Sequence, residues 1–145
     1  MADPNKQIVA NAWKIFASRD VAAIGRCFTE DAEWIAPEGN ATAIALGGPH
    51  HMIGREAIAR FIGEDFGRLF VADVDIAFTA MLADGDQVVV EERMTATLVN
   101  GRRYDNSYCL IFTVRDGAIA QVREYMDTAK GKRQIFGDGV PGQIA

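Results

Sequence analysis

DVDIAFTAMLADGDQVVVEERMTATLVNGRRYDNSYCLIFTVRDGAIAQVREYMD, residues 73–127, is a run of apolar-rich segments broken at Asp84-Gly85, Asn100-Gly101 and Asp116-Gly117. Such dipeptides supply the positive φ angles that tight hairpin turns need. Asp73–Leu82, Gln87–Leu98, Asn106–Arg115 and Ala118–Asp127 are therefore predicted to form a four-strand antiparallel meander. Within the third of these, Leu110 and Phe112 face one way and Ile111 the other, so neither face of the sheet reads as fully solvated. One face needs covering helices, and the other is expected to meet a second copy of the chain in a homodimer.

Upstream of the meander the apolar spacing becomes helical. Asp3 before Pro4 is a capped helix start, and Ile8, Val9, Ala12, Trp13, Ile15 and Phe16 carry an apolar stripe to about Ser18. Asp20 caps a second helix, Val21–Phe28, and a short strand, Ala32–Ile35, is ended by Pro37. Residues 37–53 begin at Pro37 and hold the further structure breakers Gly39, Gly47, Gly48 and Pro49, and both histidines, His50 and His51. They are predicted as a long loop of the lid or binding type. A third helix follows from about Arg55 to Phe70 on Ile58, Phe61, Ile62, Phe66 and Leu69. Beyond Asp127 the chain is polar and glycine-rich and is predicted as a C-terminal tail, 128–145, on a core of about 5–127. The order gives one α+β domain, residues 1–145, with three N-terminal helices packed on one face of a curved, mostly antiparallel sheet and a pocket between them.

With 145 residues and 49% hydrophobic content the chain buries one core. Its fifteen basic residues are scattered and its formal charge is −5, which is the wrong field for a phosphate backbone, so nucleic acid is excluded as a partner. No apolar stretch approaches the length of a membrane span and residues 1–6 do not read as a secretion signal, so no membrane association and a cytoplasmic location are expected. Cys27 and Cys109 have no paired spacing, and two adjacent histidines do not make a metal site, so neither a metal nor a cofactor is implied.

The helix end at Ser18-Arg19-Asp20, the strand end Glu33-Trp34-Ile35-Ala36-Pro37, the helix entry Gly54-Arg55-Glu56-Ala57-Ile58, the strand and turn Phe112-Thr113-Val114-Arg115-Asp116-Gly117-Ala118-Ile119 and the closing Arg123-Glu124-Tyr125-Met126-Asp127 resemble the nuclear transport factor 2-like superfamily. They look most like its SnoaL-like, ketosteroid isomerase-related branch, over roughly Asn5 to Asp127. The resemblance implies a cone-shaped fold; it does not select among isomerases, epoxide hydrolases, cyclases, dehydratases and non-catalytic members. The steroid isomerase set of base and oxyanion donors is missing, because its positions fall on Ala36, on Ala12 or near Trp13, and on Leu110. The limonene epoxide hydrolase branch fits better. Its arginine and terminal aspartate match Arg93 and Asp127, its third position falls on Thr95, and Glu91 shares that face of the strand.

Two readings of function follow. In the first, a small hydrophobic, oxygen-bearing molecule lies in a cone lined by Trp34, Tyr108 and Tyr125, with Trp13, Glu91, Thr95 and His51 nearby. Asp127 acts there as acid/base with Arg93 orienting it, in hydrolysis, isomerisation or cyclisation. In the second, the protein is a non-catalytic ligand-binding or dimerisation module. Arg93 and Asp127 are either a site or a structural ion pair.

Overall fold

A computed structural model describes residues 3–144. Helix α1 (Pro4–Ala17) begins where Asp3 accepts hydrogen bonds from the backbone N–H groups of Asn5 and Lys6, and α2 (Val21–Gly25) where Asp20 accepts from that of Ala23. Strand β1 (Phe28–Ile35) follows, then α3 (Ala41–Leu46), β2 (His51–Ile53) and α4 (Arg55–Arg60). A π-helical turn, Phe61–Asp65, leads into α5 (Phe66–Leu69), and the sheet continues with β3 (Phe70–Asp84), β4 (Gln87–Leu98), β5 (Arg103–Arg115) and β6 (Ala118–Met126) before α6 (Thr128–Phe136).

The six strands lie in the order β2-β1-β6-β5-β4-β3, an open sheet that is antiparallel except between β1 and β6. The β5–β6 hairpin turns at Asp116 and Gly117, both at positive φ (52° and 79°), the pairing that matches the twist of its strands. Alternation sorts β4 and β5 cleanly. Val88, Val90, Glu92, Met94, Ala96 and Leu98 are buried on one face, and so are Tyr104, Asn106, Tyr108, Leu110, Phe112 and Val114. This inner face meets Phe16, Ile24, Ile58 and Leu69 of the helices and Phe28 of β1. Each such side chain, fully buried, contributes about 1.5–3 kcal/mol.

Three expectations need correction. The segment 37–53 is not one loop: Asn40 accepts from the Ala43 N–H and starts α3, Gly47 ends it at φ 69°, and β2 pairs with β1. The third helix is not uniform, because its middle widens into the π turn at Phe61–Asp65. Residues 128–136 form α6, and the chain then returns so that the Ile144 N–H donates to the Ala45 carbonyl at 2.8 Å. Gly131 lowers the helix propensity of α6 in isolation. In the fold, a Cβ at that position would stand 3.6 Å from Asn106 Nδ2 and 3.7 Å from the Tyr104 hydroxyl, ordinary contact distances, so the helix forms over β5 through its packing there and not through a need for glycine.

Candidate functional site

Between the helices and the inner face of the sheet lies a cavity of about 890 Å³. Its walls are mostly apolar, with Trp13 and Phe16 from α1, Phe61 and Phe66 from the third helical segment, and Phe78 and Leu110 from the sheet. Trp13 meets Phe16, Phe78 and Phe112 edge to face, with centroids 5.2 to 6.1 Å apart. The mouth lies at lining residues that solvent also reaches, among them Lys14 and Phe78, the latter 46% exposed.

Against this apolar wall stand two carboxyl groups, Glu92 on β4 and Glu124 on β6, flanking β5. Glu92 is directly opposite Tyr108 and Glu124 opposite Leu110, so the acids are two residues out of step along β5. Glu92 is 4% exposed. Burial, and then the nearby Glu124 charge, push its pKa up to about 8. Burial likewise pushes Glu124 up to about 7, opposed by a hydrogen bond from Trp34 Nε1 to its Oε1 at 2.9 Å that favours the charged form. Near neutral pH the pair therefore divides into a mainly protonated acid, Glu92, and a partly ionised base, Glu124.

A hydrogen-bond chain leads up to Tyr108 from behind the cavity. The Asn106 amide is fixed by donating to the Asp127 carbonyl at 3.0 Å, and it also donates to the Tyr104 hydroxyl at 3.2 Å. The Tyr104 and Tyr108 hydroxyls are 2.5 Å apart. Either phenol can donate in this pair, and Tyr104 also accepts from Asn106, so the chain ties the Tyr108 hydroxyl at the cavity wall to the Asp127 backbone. Burial raises both phenols, Tyr108 well above the ordinary range, and keeps them protonated. Two further polar atoms of cavity-lining residues, Trp13 Nε1 and Glu92 Oε2, are buried without a hydrogen-bond partner among the described residues. The lining thus offers donors, an acid and a base to an oxygen-bearing guest.

Of the residues singled out in the sequence, Trp34, Tyr108 and Trp13 line this cavity. Arg93 and Asp127 are not brought together. Arg93 projects from the outer face of β4, where Nε and Nη2 reach Asp105 Oδ1 and Oδ2 at 2.8 and 2.6 Å. Asp127 lies beyond the end of β6 and caps α6, accepting from the Lys130 N–H at 3.0 Å. Glu91 and Thr95 share the outer face with Arg93. Glu91 accepts from Thr79 Oγ1 at 2.7 Å, and Thr95 lies opposite Asp75 and Asp105. Tyr125 is 53% exposed on the same side of the sheet. His51 stands on β2 with Nε2 3.3 Å from Glu33 Oε1, while its neighbour His50 lines the cavity.

Glu92 and Glu124 were passed over in the sequence although a signal for Glu92 was there. From Val88 to Leu98, alternate residues are Val, Val, Glu, Met, Ala and Leu, and a lone carboxylate on an otherwise apolar face must be buried or misplaced. Among the described residues no cluster of three or more His, Cys, Asp and Glu has the geometry of a metal site, and no helix is long and apolar enough to cross a membrane.

The family model described as a SnoaL-like domain matches residues 9–122. An NTF2-like protein of unknown function from Burkholderia pseudomallei superposes with a TM-score of 0.80 at 21% identity, over 92% of this chain and 98% of that one. TerC, crystallised with polyporic acid, gives a TM-score of 0.76 at 25% identity over the same shares, 92% and 98%. A protein of ketosteroid isomerase-like fold from Catenulispora acidiphila, in complex with trimethylamine, gives 0.70 at 19% identity over 92% and 97%. No curated protein matches the sequence significantly.

Proposed function

The chain belongs to the SnoaL-like domain family, and from that premise we propose that it is a cofactor-independent acid/base enzyme acting on a largely apolar small molecule that carries a carbonyl group. The observation that carries the proposal is the pair of buried Glu92 and half-buried Glu124, raised to about 8 and about 7 in an apolar cavity. In this reading the Glu124 carboxylate removes a proton from the carbon beside the carbonyl. The C–H electrons move onto the carbonyl oxygen, where the Tyr108 hydroxyl and protonated Glu92 donate hydrogen bonds to the developing enolate. Return of the proton at another carbon is an isomerisation, and attack of the enolate carbon on a second carbonyl is an aldol-type cyclisation. TerC with polyporic acid supports a small organic molecule as the occupant.

Proton abstraction is testable without the natural substrate. Apolar ketones such as 2-tetralone are incubated in D2O, and loss of the α-C–H signal is followed by NMR. Exchange above the buffer rate, abolished in Glu124→Gln, is expected. If ketones raise the melting temperature but no exchange exceeds buffer, the catalytic reading fails and a ligand-binding module remains.

The outer face of the sheet supports a homodimer as part of this reading. Leu82 and Tyr125 are exposed there, beside half-buried Val89 and Ile111. Light scattering after size exclusion is expected to give twice the 15.8 kDa chain mass; a monomer at micromolar concentration removes the dimer.

A further inference from the structure

The turn between α1 and α2 holds its residues against their preference. Arg19 takes φ 57°, a left-handed backbone that costs a side-chain-bearing residue about 1–2 kcal/mol. The strain aims its side chain across the cavity wall. One guanidinium N–H donates from Nη1 to the Ile62 carbonyl at 3.1 Å, inside the π turn, and Cζ stands 4.5 Å above the centre of the Phe66 ring. These contacts hold the guanidinium over the ring and use one of its five N–H donors. Arg19 is half-buried and lines the cavity, and no carboxylate lies within ion-pairing distance of it among the described residues.

A partly desolvated cation held over an aromatic ring, with unused donors and no counter-ion among the described residues, is built to take an anionic group in a two-pronged hydrogen bond. Lys14, one turn before the end of α1, also lines the cavity and is in no ion pair among the described residues. The arginine and lysine side chains of the lining are therefore both near α1, in a chain of net charge −5. The lining's two carboxyl groups are held toward their neutral forms by burial and oppose this local field only in part.

We infer that Arg19 is an anion-anchoring subsite of the cavity, and that the ligand is an apolar acid whose carboxylate or other anionic oxygen pairs with Arg19 while its apolar body enters the aromatic wall. The inference rests on the cavity being a small-molecule site, as proposed above, and adds the charge of the molecule. Lys14 assists from the mouth as a second, more solvated cation.

Two fluorescent probes of one aromatic frame separate the anchor from the cavity. 8-Anilinonaphthalene-1-sulfonate carries an anionic group, and N-phenyl-1-naphthylamine lacks it. Both are titrated into the full chain, with mutual displacement to confirm one site and circular dichroism to confirm folding. Arg19→Gln is expected to weaken the sulfonate about tenfold while leaving the neutral probe within about twofold. Arg19→Lys, which keeps the charge and loses the fork, is expected to weaken it about threefold. Added salt should weaken the sulfonate and spare the neutral probe in the native protein. If the ratio of the two affinities is the same in native protein and both variants, the anchor is overturned while the cavity reading stands. If neither probe binds the native protein, both fall. Should Arg19→Gln fail to fold, Arg19→Lys and the salt series decide, and an unchanged ratio in both overturns the anchor.

Discussion

Trp34 on β1 donates its indole N–H to Glu124 on β6, joining residues 90 apart in the chain across the parallel seam of the sheet. That contact stabilises the ionised form of a carboxyl group that burial otherwise keeps protonated. Removing it in Trp34→Phe is therefore expected to raise Glu124 above about 7. A carbon-detected NMR titration of the glutamate carboxyls reads this directly. A midpoint that stays put or falls would mean that the indole is not tuning the acid.

Glu92 makes stability depend on pH in an unusual direction. Its folded value of about 8 lies above its ordinary 4.5, so between those values the folded protein holds a proton that the unfolded chain has lost. Stability contributed by this group is thus complete at low pH and declines as pH rises through the window. In Glu92→Gln the decline between pH 5 and 9 should shrink by about 3–5 kcal/mol, leaving the variant more stable than the native protein at pH 9. Urea melts across that range measure it; parallel curves for the two proteins would refute the burial argument.

Arg93 and Asp127 should behave as independent surface features. Asn caps a helix as well as Asp does, so Asp127→Asn is expected to be nearly neutral, while Asp127→Ala loses about 0.5–2 kcal/mol. Arg93→Ala frees an exposed pair with Asp105 and is expected to leave the unfolding midpoint close to that of the native protein. The combined variant should show additive effects, and strong coupling between the two positions would contradict the geometry.

Gly63 lies in the π turn with no room for a side chain. A Cβ there would stand 2.6 Å from Val21 Cγ2 and 3.2 Å from the Arg19 carbonyl oxygen, and a β-branched side chain gives way poorly. Gly63→Ala is expected to cost about 1–3 kcal/mol in chemical denaturation. A neutral effect would show that α2 and the π turn can slide apart.

The fold was legible because its strongest signals are local. Asp116-Gly117 turns the chain whatever surrounds it, and Asp3-Pro4 starts a helix within one turn. Of the candidate cavity, Trp34, Tyr108 and Trp13 were legible, whereas Tyr125 lies on the outer face and the lining acids were not singled out. Reasoning from Arg93 selected the outward face of β4, and a displacement of one residue along a strand exchanges the faces, so Glu91 was chosen and Glu92 missed. The apolar company of Glu92 could have corrected that choice. Nothing adjacent in sequence could have revealed Glu124, since its partner Trp34 arrives from the other end of the chain and its opposite, Leu110, from the preceding strand. Arg19 was equally hidden: its backbone strain and its seat on Phe66 are tertiary facts.

The parallel pairing of β1 with β6 also orders events in time. Strands β3 to β6 are hairpin neighbours and can zip by short loop closures, whereas β1, with its short partner β2, must wait for residues 118–126 before it can join that ladder. Docking of β1 is thus expected to be the late step of folding, visible as Trp34 fluorescence lagging behind the recovery of sheet signal in stopped-flow refolding; simultaneous recovery would argue against it. Until that step Glu124 lacks the Trp34 indole N–H, so on the proposed reading a chain that has built most of its sheet still lacks its tuned base.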